Sequence, residues 1–179
     1  MIKLWISAAL FFIFSSVSYG EILHSYWQQR VDYKMDIILD ESSRSLLGTS
    51  IINYYNNSPD TLNKVYLHLY PNAFQQGSVK YREYNTDRFG RDSRRKFFKN
   101  WKNEYRAEIK INECFVSQGN QLLSNTFRIE DTILEVPLTQ PILPKDKVKI
   151  SLKWTHLIGQ HIERYGYNSG QYNMSQWYP

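Results

Sequence analysis

The chain has 179 residues, 42% hydrophobic and 16% aromatic, with a formal net charge of +5 and one cysteine. A lone cysteine excludes an intramolecular disulfide, so any fold must be held by apolar burial and not by a cysteine framework. The charge is local: ten bases face four acids between Lys80 and Arg106, which makes that window net +6 and leaves the rest of the chain at −1.

Lys3 supplies a short positive region, and Leu4 to Phe14 is a nearly unbroken apolar run of eleven residues. Ser18 and Gly20 occupy the two small-residue positions that a signal peptidase reads. Residues 1–20 therefore read as a signal peptide cleaved before Glu21. The apolar run falls short of the roughly 20 residues of a membrane span, although an uncleaved anchor is the alternative. No cysteine directly follows the run, which argues against lipid attachment. The expectation is export to the periplasm or beyond the cell, with no stable membrane span after cleavage. Residues 21–179 then fit one domain of ordinary size.

Val31, Tyr33, Met35, Ile37 and Leu39 alternate with mostly polar residues, the period-two pattern of a strand with one wet face. Glu41 to Ser45 reads as a turn, and Leu47 to Tyr55 as the return strand of a hairpin. Asn56-Asn57-Ser58-Pro59-Asp60 is a dense cluster of turn formers. Val65, Leu67 and Leu69 then alternate with Tyr66, His68 and Tyr70 until Pro71 removes a ladder donor. The basic window has little alternation; Arg94 to Tyr105 suggests a short helix with Phe97, Phe98 and Trp101 on one side. Strand patterning resumes at Ala107, Ile109 and Ile111, and Cys114 reads as a small buried hydrophobe. Gly119-Asn120 gives a turn, and Leu122–Ile129 with Thr132–Leu138 gives a hairpin around Glu130-Asp131. Pro141 and Pro144 bracket a loop, after which Val148, Ile150, Leu152 and Trp154 alternate cleanly. From Gly159 to Pro179 alternation fades, and nothing there suggests a closing element. The pattern predicts a mostly β fold: an antiparallel sandwich or saddle of two sheets with one short helical or irregular basic insertion at about 80–106.

Phe89, Phe97, Phe98, Trp101 and Tyr105 lie among the charges of that insertion, a composition shared with nucleic-acid surfaces. Export argues against a nucleic-acid partner. A solvated insertion, its aromatics on the sheet, is the simpler reading, and contact with an anionic surface is the charge-driven alternative. Asn56-Asn57-Ser58 and Asn173-Met174-Ser175 match glycosylation acceptors, short patterns that also arise by chance.

Three segments carry a resemblance. They are Tyr26-Trp27-Gln28-Gln29-Arg30-Val31-Asp32-Tyr33, the stretch from Asn57 to Phe74 ending Leu69-Tyr70-Pro71-Asn72-Ala73-Phe74, and the final Tyr172 to Pro179. With the Pro141–Trp154 strand, their order and spacing resemble the amino-terminal β domain of the M1 family of zinc metallopeptidases, the aminopeptidase N-like enzymes. The Lys80–Arg106 insertion departs from the resemblance.

The resemblance implies a β saddle packed against a separate catalytic domain, in which a helix carrying H-E-x-x-H and a downstream Glu binds zinc. Two His four residues apart share a helix face and hold the metal, while the Glu activates its water. This chain has no such motif. Its histidines are His24, His68, His156 and His161; His68 reads as a surface residue, and His156 and His161 as loop residues with the wrong spacing for zinc. Residues 159–179 would lead toward the catalytic domain. The implied role is a non-catalytic scaffold and cleft domain, with zinc and peptide hydrolysis supplied elsewhere. The implied partners are that catalytic domain and a peptide substrate. Gln176 matches a family Gln that helps bind the substrate's amino-terminal end; the bland alternative is a loop residue satisfying backbone groups. Two positions on, where the family has an acid or amide, stands Tyr178, uncharged at neutral pH. The other class of reading is a non-enzymatic exported β-sandwich that binds a partner or an anionic surface through its insertion.

Overall fold

A computed structural model describes residues 26–85, 100–160 and 164–179. The expected signal peptide, His24, residues 86–99 of the basic window and His161 lie outside the described residues.

The described chain is mostly β and antiparallel, and its sheets stay open without closing into a barrel. The first hairpin is β1 (Arg30–Asp40) with β2 (Ser45–Tyr55). Its turn is set by Asp40, whose carboxylate accepts the Ser42 and Ser43 hydroxyls at 2.6 Å each and the Ser42 amide at 3.0 Å. Those bonds hold its pKa down at about 2. There follow β3 (Leu62–His68), a short helix α1 (Val79–Asn85), β4 (Glu108–Gln118) and β5 (Gln121–Ser124). The remaining strands are β6 (Arg128–Glu130), β7 (Ile133–Ile142), β8 (Lys147–Leu157), β9 (Gly166–Asn168) and β10 (Gln171–Asn173). They form a five-stranded sheet in the order β1-β2-β8-β4-β5, a three-stranded sheet β3-β7-β6 and a small β9–β10 hairpin.

Period-two patterning builds one core from the two larger sheets. Ile52, Ile109, Cys114, Val116, Ile150, Leu152 and Trp154 come from the first, and Val65, Leu67, Leu134 and Val136 from the second. Trp154 sits at the centre. Its indole lies flat over Gly48, directly opposite in register, and its Nε1–H donates to the Ser50 hydroxyl at 2.9 Å. A Cβ on Gly48 would stand 2.2 Å from that ring, so only glycine fits beneath it.

Several expectations change. Leu122–Ile129 is not one strand: Ser124 bonds both the amide and the carbonyl of Thr126, and the chain crosses from β5 in one sheet to β6 in the other. Pro141 is not in a loop but near the end of β7, where the register jumps from Lys64↔Pro137 to Leu62↔Ile142 and no ladder donor is needed from the proline. Residues 100–105 hold a turn and one 3-10 turn (Asn103–Tyr105) in place of an α-helix; the expected helix's earlier part lies outside the described residues. Helix α1 had no sequence expectation. Ser78 precedes it and accepts the Tyr81 amide at 3.0 Å, while Asp131 accepts the Val79 amide at 2.9 Å. The tail, expected to close nothing, folds back as β9–β10 and seats Trp177 on Trp154, ring centroids 6.2 Å apart.

Two buried asparagines join the layers. Asn56 is fully buried and sits where β2 leaves one sheet for the other. Its Nδ2 donates toward the carbonyls of Asp60 (2.8 Å), Ile142 (3.2 Å) and Leu143 (3.1 Å). Its Oδ1 accepts from the Ser58 hydroxyl at 2.6 Å and from Gln29 Nε2 at 3.2 Å. Its backbone binds Asp146 and Lys145 at 2.9 and 2.7 Å, so one residue ties the β2–β3 and β7–β8 crossings together. A fully buried amide is closed to a glycan. Asn72, in the 3-10 turn Tyr70–Phe74, stands in for a neighbouring strand: Oδ1 accepts the Ile109 amide at 2.7 Å and Nδ2 donates to the Ile109 carbonyl at 3.4 Å.

Replacing Asn56 by Ala strands several buried acceptors at once, and the expected loss is about 3 kcal/mol. Urea unfolding followed by far-UV circular dichroism should show a lower midpoint at unchanged slope. A loss below about 1 kcal/mol would contradict the role given to this side chain.

Candidate functional site

The inner face of β1 carries Val31, Tyr33, Met35, Ile37 and Leu39, as its alternation predicts, yet Val31, Tyr33 and Leu39 are exposed. β1 is the edge strand of the five-stranded sheet, which has two more strands than the sheet it packs against. Between the inner face of β1 and β2 on one side and β3 on the other lies a groove of about 430 Å³. Val31, Tyr33, Tyr54, Tyr66 and Tyr70 supply much of its wall, and residues 176–179 close one side. The volume is in the range of small-molecule and peptide side-chain sites.

The tail is fixed at three points. Tyr33 and Tyr178 meet edge to face with centroids 5.4 Å apart. Trp177 packs on Trp154. The third anchor is His156, which belongs to β8 and is fully buried, contrary to the loop position expected for it. Its Nδ1 lies 2.8 Å from the Trp177 carbonyl and therefore donates to it, which leaves Nε2 to accept the Tyr165 hydroxyl. The Tyr165 ring stacks on the imidazole at 5.4 Å and 5°, and Phe74 stacks on Tyr165 at 5.8 Å and 16°. Burial lowers the His156 pKa to about 4, against a smaller opposing effect of the Trp177 carbonyl, and pushes the Tyr165 hydroxyl above its ordinary value.

Gln176 is exposed, with φ of 51°. Its backbone lies in the left-handed region, and its side chain makes no hydrogen bond to the described residues. It borders both the aromatic groove and a smaller neighbouring cleft. Tyr178, 37% exposed, lines the groove two residues on. His68 is exposed as expected and stacks on Tyr70, centroids 4.7 Å apart. Cys114 is buried in β4; burial pushes its thiol up to about 11, so it is not a nucleophile at neutral pH.

Among the described residues no three His, Cys, Asp or Glu side chains converge, and both ring nitrogens of His156 are already engaged. No described helix is long and apolar enough to cross a membrane. No protein-family model matches the chain, and a search of curated proteins finds no match.

Sequence reasoning singled out Gln176 and the aromatic tail but missed the wall they complete. The signal for it was present in Tyr66 and His68, large rings on the face of β3 expected to be wet, and in Tyr70 just beyond the strand. Tyr165, which locks His156, had no periodicity to mark it.

The buried His156 makes a pH prediction. The unfolded imidazole takes up a proton near pH 6.5, whereas the folded one does so near pH 4. Between those values the unfolded chain binds more protons. The contribution is therefore complete above the unfolded pKa and falls by about 3 kcal/mol as the pH drops through the window. Urea midpoints across that window should slope accordingly, and His156→Gln should flatten the slope while lowering stability throughout. An unchanged slope in the variant would contradict the assignment.

Proposed function

We propose that this chain is the amino-terminal scaffold and substrate-cleft domain of an exported, M1-like zinc metallopeptidase whose parent reaction is hydrolysis of a peptide bond. The observation that carries the reading is Gln176: an exposed side chain with no hydrogen-bond partner among the described residues, on the border of an aromatic groove. An amide so placed can accept a hydrogen bond from a peptide's ammonium group, and the tyrosines beside it can pack a side chain. The resemblance of the Asn57–Phe74 and Tyr172–Pro179 segments supports the same reading. Zinc, in that family, polarises the scissile carbonyl and activates water; its ligands belong to a domain outside this chain, and no step through the metal is assigned to the residues here. The chain's own work is to wall the groove, orient the peptide and limit water around it.

The reading frame beyond the Pro179 codon tests this. An in-frame continuation into H-E-x-x-H with a downstream Glu is the expected result, and a stop codon in its place would overturn the reading. In the enzyme carrying both parts, Gln176→Ala should raise KM for a free-amine peptide about tenfold, the value of one hydrogen bond to a charged group. An unchanged KM would remove Gln176 from substrate binding.

A further inference from the structure

The five-stranded sheet gives only one of its faces to the core. The other carries the alternate residues of each strand, and among the described residues no strand or helix is layered over it. Register sorts that outer face into stripes. β2 presents Leu47, Thr49 and Ile51, all exposed, and exposed Ile38 of β1 stands directly opposite Leu47. To one side of this stripe β1 presents Asp32, Lys34 and Asp36; to the other β8 presents Lys147, Lys149 and Lys153. Row by row, Asp32 and Lys149 flank Asn53, and Asp36 and Lys153 flank Thr49. Strands two apart in a sheet are about 10 Å from each other. Within one copy Lys153 turns instead to Glu113 of β4, at 2.9 Å, and Asp32 to Arg30. A hollow of about 270 Å³, bordered by Asp36, Ile38, Leu47 and Lys153, lies among these rows.

We propose that this face binds the same face of a second copy of the chain, through a two-fold axis running along β2. The proposal stands apart from the peptidase reading, which concerns the inner face. Such an axis exchanges β1 with β8 and keeps each row at its own level. It sets Asp36 of each copy against Lys153 of the other and Asp32 against Lys149, with Leu47 and Ile51 each against its own counterpart. An axis between β2 and β8 would set Asp36 against Glu113, and one across the strands at Ile51 would set Asp36 against Asp32. Both of those oppose like charges, so of the three the charge pattern favours the axis along β2. The one opposed pair it leaves, Arg30 and Lys147, falls at the rim, where the roughly 30° crossing of packed sheets draws the strands apart. Exposed ion pairs fix the register more than they add strength, and the burial of Leu47 and Ile51 supplies the affinity. Three strands of this length cover about 500 Å² a side, about 1,000 Å² in all, the lower end for a specific pair. The dimer is therefore weak, with a Kd of about 10 µM.

Sedimentation equilibrium of the whole chain tests this. The expected result is a monomer–dimer equilibrium that Asp36→Lys and Lys153→Asp each weaken about tenfold, since either change opposes like charges twice in the dimer. Mixing those two variants should restore dimers to nearly the level of the unaltered chain, because each residue then meets its opposite across the axis. Leu47→Asp brings two carboxylates together at the axis and should abolish association. Far-UV circular dichroism checks that the variants are folded. Where a charge reversal fails that check, Asp36→Asn and Lys153→Gln take its place, each expected to weaken the dimer about threefold. A chain still monomeric at about 0.2 mM would overturn the proposal and leave the face to solvent or to a different occupant. So would a dimer that none of these substitutions weakens, or one that the mixture fails to restore.

Discussion

Five strands packed against three is the constraint from which the rest of this structure follows. A narrower sheet cannot fully cover a wider one, and the apolar inner face of β1 is only partly covered, with a groove left between it and β3. Val31 and Tyr33, placed by alternation to be core residues, become groove residues instead. The tail answers this only in part. Trp177 extends the core across Trp154, Tyr178 meets Tyr33, and the space left between them and β3 is the groove. Among the described residues β1 is also an unpaired edge, and the charges along it (Arg30, Asp32, Lys34, Asp36 and Asp40) are the usual means of keeping such an edge from pairing with other chains.

Holding unequal sheets in register falls to polar groups at the crossings, where apolar packing has little direction. Asn56 fixes two crossings with one side chain and one peptide unit, and Asn72 occupies the edge of β4 beside Ile109. Both are buried and bonded on each side of the amide, the condition under which a buried polar group specifies a geometry without destabilising it. His156 does the same for the tail. It is neutral, it donates at one nitrogen and accepts at the other, and the ring column of Tyr165 and Phe74 is built on it. The column in turn lines the smaller cleft beside Gln176. Core, tail and candidate site are thus one connected packing problem.

What could be read from the sequence divides along a physical line. Strands β1, β2, β3, β4 and β8 were legible because their faces differ, and period two records that difference directly. The turn at Asn56–Asp60 was legible as a turn, while its role as a joint depends on Ile142 and Leu143, far away in the chain. β5 and β6 merged into one expected strand because their apolar residues run on across a change of sheet. Gln176 was reached by resemblance, and its place on the border of the groove only by the fold. The smaller cleft beside it is lined from segments far apart in the chain, so it could not be seen in any one of them.

The central claim is that residues 176–179 lie against β1 and β8 and so make the groove. Aromatic nuclear Overhauser contacts in the isotope-labelled chain test it most directly. The account requires cross-peaks between the rings of Tyr33 and Tyr178 and between those of Trp154 and Trp177, pairs at 5.4 and 6.2 Å between centroids. A folded chain showing the Trp154 core contacts but neither of these cross-peaks would contradict it.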